Sequence, residues 1–250
     1  MNPSPQLNAE PRPAIALWDH LAELRSRILK SVLAIIAGSL LGLVYCREIF
    51  TILQVPMVKA LPAGSFFIAT SPFESYMAYF KVAFLTGLFI ASPVVFYQFW
   101  KFVNPALRQK EKQVALPFAF VSALLFTGGA LFGYFLVFPT GFHFVNQILI
   151  GTGIRLLPKM SDYLGVALTL LLAFGFCFEL PLVIFLLGKL GIIDYPFIKK
   201  YRRYVIVVLF IVAAVLTPGP DVFSQCLLAI PLWILFELGG LTLLANRKKG

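Results

Sequence analysis

The sequence is poor in charge. Of its 250 residues only 13% are Asp, Glu, Lys or Arg, 11 acids against 21 bases, where soluble domains carry about 25%. With 60% hydrophobic residues and a mean hydropathy of +0.88, too few polar groups remain to coat a water-soluble globule. That excludes a soluble enzyme and a disordered tail. The three cysteines, Cys46, Cys177 and Cys226, share no CxxC spacing, and two lie inside apolar runs, so they read as small hydrophobes of packed helices. The two histidines, His20 and His143, are not at metal-ligand spacing. No Gly-rich phosphate loop and no G-x-S-x-G elbow occur, so neither a metal nor a nucleotide or other cofactor is expected. The net charge of +10 sits in short clusters between apolar runs. This is the pattern of cytoplasmic loops rather than of a nucleic-acid surface.

What the sequence has is long apolar runs. A span needs about 20 such residues. Six candidates occur, at 28–45, 74–103, 114–138, 163–187, 204–217 and 222–244. They form one polytopic membrane domain over 1–250, with an N-terminal segment at 1–27, the spans within 28–244 and a basic tail at 245–250. Residues 1–27 hold Glu10, Asp19 and Glu23 and no short apolar core before a small-residue cleavage site, so the first run is expected to stay as an anchor. Sixteen of the 21 bases fall on one side, near the start of the first span, between the second and third, between the fourth and fifth, and at the C-terminus. The positive-inside rule then places both termini in the cytoplasm. The last two spans are expected to be short, because 204–217 is brief and only 11 residues separate Gln225 from Glu237. Pro93, Pro117, Pro181 and Pro231 interrupt the spans and are expected to kink them. Kinked long helices beside short ones predict a concave wall. The outward loops at 46–72 and 141–162 carry Pro, Gly and apolar residues, and Phe66, Phe67 and Ile68 suggest a first loop that packs on the membrane surface.

Few polar residues sit where they demand a reason. Leu17, Leu21, Leu24 and Ile28 form one stripe ahead of the first span, and Asp19, Glu23 and Arg27 form another at i, i+4 spacing, which predicts an amphipathic interfacial helix. Its bland use is a surface anchor with an ordinary Glu23–Arg27 pair. Glu111 lies among Arg108, Lys110 and Lys112. Either it neutralises a basic loop, or it and Glu23 form a carboxylate pair suited to two guanidinium forks. Glu179 lies inside the fourth span, where a carboxylate costs roughly 2.5–3.5 kcal/mol on insertion scales and needs a cavity or a partner. Asp221 is placed to cap the last helix, and Gln225 to bond across helices.

Several strings together resemble one family. They are His20-Leu21-Ala22-Glu23-Leu24-Arg25, Ser92-Pro93 with Tyr97-Gln98-Phe99-Trp100, and Pro105-Ala106-Leu107 leading to Glu111. Phe174-Gly175 precedes Phe178-Glu179-Leu180-Pro181, and Thr217-Pro218 precedes Asp221-Val222-Phe223-Ser224-Gln225 and Pro231. In this order and spacing, from about His20 to Asn246, the chain resembles the TatC family, the multispanning core subunit of the twin-arginine protein translocase. The Thr217–Asp221 turn is one residue longer than the family's Thr-Pro-Pro-Asp form.

The resemblance implies six helices in a glove-like shape with cytoplasmic termini, in the inner (cytoplasmic) membrane. It implies a receptor for the twin-arginine signal peptide of folded cargo, self-associating and working with TatA and TatB, and powered by the proton-motive force. Carried over by position, Glu23 and Glu111 would receive the arginines, and Arg25 and Phe102 would shape that site. Glu179 and Gln225 would make polar or partner contacts within the membrane. Pro56, Pro93 and Asp221 match structural positions the family depends on. The main alternative is a proton-coupled secondary transporter of a small solute, with Glu179 as coupling group. No nucleophile–base constellation supports an enzyme.

Overall fold

A computed structural model of the chain describes residues 13–61, 66–103, 115–149, 157–217 and 222–247. Its described residues are almost wholly helical. Helix α1 (Pro13–Val44) runs unbroken from the amphipathic segment through the first span. Helix α2 (Cys46–Ala60) follows in the loop after the first span, and α3 (Pro72–Val103) is the second span. The third span is composite: α4 (Ala115–Phe132), a π-helical turn at Gly133–Val137, and α5 (Phe138–Leu149). The fourth is α6 (Met160–Phe178) and α7 (Leu180–Lys189). Helices α8 (Tyr195–Leu216) and α9 (Val222–Arg247) complete the chain.

Five stretches are long and apolar enough to cross a membrane: His20–Val44, Pro72–Val103, Ala115–Ile148, Met160–Lys189 and Val222–Leu244. Together with α8 they make six helical spans. Three sequence expectations need correction. The loop at 46–72 is largely a helix, because Cys46–Ala60 is amphipathic and turns Leu53, Pro56 and Met57 inward. The third span does not end at 138 but continues through α5. The fifth span is short as an apolar run but not as a helix, and the sixth is short as neither, since Val222–Leu244 is long and apolar enough to cross. Helix α8 begins at Tyr195, nine residues before its apolar run, because Asp194 caps it by accepting the Phe197 N–H at 2.9 Å and Pro196 sits in its first turn. The run at 204–216 gives only about 20 Å of apolar helix against a hydrocarbon core of about 30 Å.

The first four spans pack in chain order, while the fourth packs chiefly on the sixth rather than on the fifth. Helix α1 lies along α3, α4 along both α3 and α6, and α9 along α7 and α8. The α1–α3 seam is very close: a Cβ on Gly87 would lie 2.4 Å from the Ser39 nitrogen, and one on Gly38 2.7 Å from the Gly87 carbonyl oxygen. Only hydrogen fits there. Away from this seam α1 exposes Leu29, Leu33, Leu40 and Leu41, and α8 exposes Val207, Ile211 and Val215, an apolar surface that needs lipid. The core between holds Phe126, Phe138, Phe174, Leu164, Leu228 and Leu232, all nearly inaccessible. Helices α3 and α9 continue through Pro93 and Pro231, whereas Pro181 opens α7, where the fourth span breaks at Glu179. Gly191, at φ +74°, ends α7 in the left-handed conformation that glycine tolerates.

Where α3 and α6 begin, distant segments are tied together. Ile68 accepts the Met160 N–H at 3.1 Å and donates its own N–H to Pro158 at 3.0 Å, an isolated parallel bridge with Lys159. Glu74 accepts the Thr70 N–H (2.6 Å) and hydroxyl (2.9 Å) on one oxygen and the Ser161 N–H (3.0 Å) on the other. Tyr134 and Tyr163 donate their hydroxyls to the carbonyls of Ile52 and Leu53 on α2. Phe67 packs against Tyr163, with ring centroids 5.1 Å apart, so the first loop folds onto the protein itself as well as facing outward through Phe66.

Candidate functional site

Polar chemistry concentrates in three places. The first is where α1 starts and α3 ends. His20 stacks on Phe102, with centroids 4.5 Å apart and ring planes at 20°. One turn along α1, Glu23 binds Arg27 through both Nε (3.1 Å) and Nη2 and lies 4.0 Å from His20 Nδ1. The stack thus brings Glu23 and Phe102 into one neighbourhood. Arg25 is exposed and, two residues from Glu23, lies on another face of the helix. Glu111 lies outside the described residues.

The second place is the interior of the spans. Glu179 is 8% exposed, and Ser92 and Ser122 are the other buried polar side chains among the described residues. Ser122 on α4 donates its hydroxyl to Glu179 Oε2 at 2.9 Å and accepts the Trp100 indole N–H of α3 at 2.8 Å. Glu179 Oε1 is buried without a hydrogen-bond partner. Aromatic and aliphatic groups close around Trp100, notably Phe118, Ala119 and Leu186. Three elements of the fold therefore converge on one carboxyl group in an apolar setting.

The third place joins the last two spans. Gln225 of α9 donates to the Phe210 carbonyl of α8 at 2.8 Å, the interhelical bond its sequence position suggested. Towards the other end of the same pair, Arg202 binds Glu237 and lies over the Trp233 ring. Asp221 lies outside the described residues. Pro56 is buried within α2, and Pro93 stands within α3.

Sequence reasoning missed Trp100, Ser122 and Glu74 as polar partners. Trp100 and Ser122 lie in apolar runs, and their meeting depends on the rotation of three helices. Glu74 carried a legible signal, a carboxylate at the second residue after Pro72, where helix N-termini favour acids. Among the described residues no cluster of three His, Cys, Asp or Glu side chains is arranged to hold a metal ion. A cavity of about 350 Å³ between α2, α3 and α4 is lined by apolar groups such as Leu53, Leu85 and Phe89 and offers no reactive group.

The chain as a whole has counterparts among known proteins. The family model for the Sec-independent protein translocase protein (TatC) matches residues 19–231. The Sec-independent protein translocase protein TatC of Desulforapulum autotrophicum is 44% identical over 220 residues, covering 88% of this chain and 81% of that protein. The TatC of Escherichia coli K12 is 40% identical over 223 residues, covering 89% and 86%. A crystal structure of the twin arginine translocase receptor TatC in DDM superposes with a TM-score of 0.80 at 36% identity, covering 90% of this chain and 99% of that one. With its helical spans and a family match across most of its length, the chain is a multi-pass membrane protein of the TatC family, a non-enzymatic component of a protein translocase.

Proposed function

We propose that the chain is the receptor that recognises twin-arginine signal peptides at the cytoplasmic face of the inner membrane. With TatA- and TatB-type partners it exports folded cargo, driven by the proton-motive force. The observation that carries this reading is the stack of His20 on Phe102, which sets Glu23 beside the end of α3. Glu23 is partly exposed and already holds a guanidinium, that of Arg27. An exposed i, i+4 pair is weak, and this one uses Oε1 alone, so an incoming arginine can replace Arg27 at little cost and gain a fork across both carboxylate oxygens. Glu111 supplies the second carboxylate, and Arg25 and Phe102 border the site. The signal's apolar stretch lies along the exposed helix faces. It provides most of the affinity, at about 25 cal/mol per Å² buried, while the arginines decide specificity. Within the membrane, Glu179 and Gln225 make the contacts to partner helices, and copies of the chain associate in the receptor complex. Membership in a protein-translocase family removes the ground for a solute transporter.

The test is binding of a labelled Arg-Arg signal peptide to the detergent-solubilised chain, beside an otherwise identical Lys-Lys peptide. The Arg-Arg form is expected to bind about tenfold more tightly, the scale of a bidentate charge-assisted contact. Glu23→Ala with Glu111→Ala is expected to abolish that preference and leave residual binding of both. Equal binding of the two peptides by the native chain, or a preference unchanged in the double variant, overturns the reading.

A further inference from the structure

Ser122 behaves unlike the serine and threonine hydroxyls that bond back to their own helices. Ser31, Thr51, Thr86, Thr140 and Thr169 each donate to the carbonyl four residues earlier in their own helix, the default for Ser and Thr within helices. Ser122 instead donates across to Glu179. The Trp100 indole explains the direction of the chain of bonds. An indole N–H donates only, and a serine hydroxyl has a single proton. With Trp100 donating at 2.8 Å, Ser122 is an acceptor on that side, and its proton lies on the 2.9 Å contact to Glu179 Oε2. Ser122 is fully inaccessible and Trp100 is 3% exposed, so water does not compete for these bonds.

Glu179 needs such an anchor. It sits at the junction of α6 and α7, where Pro181 interrupts the helical ladder, so an unbroken helix does not fix its direction. Its second oxygen, Oε1, is buried with no donor, a costly state for a carboxyl oxygen in an apolar setting. We propose that Ser122 and Trp100 are positioning residues for Glu179: they commit Oε2, so that Oε1, covered within the lone chain, is the oxygen left to accept a donor when a partner helix packs against this wall. This deepens the partner-contact reading of Glu179 above and rests on it.

The experiment uses the full chain in membrane vesicles with its partner subunits. Infrared difference spectra against Glu179→Gln isolate the Glu179 carboxyl band, while export of a twin-arginine precursor and signal-peptide binding are measured in parallel. Ser122→Ala is expected to displace the Glu179 band and to lower export about tenfold, the scale of one buried hydrogen bond, with peptide binding unchanged. Trp100→Phe frees the serine proton to turn to its own helix and is expected to displace the band in the same sense. Ser122→Thr keeps the donor and restores both band and export. An unmoved band in monodisperse Ser122→Ala and Trp100→Phe overturns the inference, as does a Ser122→Thr band as displaced as that of Ser122→Ala. A displaced band with full export in both Ser122→Ala and Glu179→Gln overturns instead the reading of Glu179 as a partner contact.

Discussion

The two ends of α3 are held in opposite ways. At its start, Glu74 gathers three donors, Ile68 bridges to the residues flanking Lys159, and two tyrosines reach carbonyls of α2. Segments as far apart as residues 53 and 163 are hydrogen-bonded there. At the other end, α1 reaches α3 through an aromatic stack, His20 on Phe102, while Glu23 spends its carboxylate on its own helix. The first end is a clasp and the second a hinge-like rest. Specific hydrogen bonds between distant segments fix a geometry, most of all the buried Tyr163–Leu53 bond, whose loss leaves a buried group unsatisfied. A partly exposed ring stack and an i, i+4 pair are weak and exchangeable. The loosely held end is the one that carries the proposed peptide site.

The comparison is broken most severely at the seam that carries α1. Gly87→Val puts a side chain into the Ser39 backbone, and α1 packs chiefly on α3, so the variant is expected to lose α1 docking. Size-exclusion profiles of heated, solubilised protein should show the largest fall here. Gly128→Ala, with nothing within 4 Å of the added carbon, should match the native profile. Within the clasp, Tyr163→Phe leaves the Leu53 carbonyl without its donor and is expected to cost about 1–3 kcal/mol. Glu74→Ala should lower the melting temperature as well, by releasing Thr70 and the start of α6 together. If either clasp variant melts like the native chain, the clasp is not holding the fold. The smallest change in stability, under about 1 kcal/mol, is expected for His20→Ala. That variant should nevertheless weaken signal-peptide binding, since Glu23 loses the neighbour that sets it beside α3. A melting loss larger than that of Tyr163→Phe would reverse the comparison.

The same contrast separates what was legible in the sequence from what was not. Apolar length located the spans, because it is a local property. The Glu23–Arg27 pair was legible from i, i+4 spacing, and Gln225 as a cross-helix donor from its place at the start of an apolar run. Helix α2 was not legible, because Pro56 and the flanking Pro and Gly read as loop while its buried stripe is only partial. The early start of α8 was hidden by weight given to hydropathy over capping, although Asp194 and Pro196 marked it. The Ser122–Glu179 bond and the Ile68 bridge were out of reach: each joins residues whose meeting is set by helix rotation or by loop paths, which no local pattern encodes.

The π-turn at Gly133–Val137, closed by the Phe138 N–H on the Gly133 carbonyl, has a consequence best put as phase. Each α-helical residue advances about 100° around the axis, and a wider turn resets that count for everything after it. Before the reset, Gly129 and Ala130 head towards α6, where Gly129 abuts the Phe174 carbonyl. After it, α5 heads towards α2, and Phe144 lies flat on Phe223 of α9 at 4.0 Å. One uninterrupted helix keeps a single compass bearing; this span keeps two, so one passage through the membrane serves neighbours in two directions.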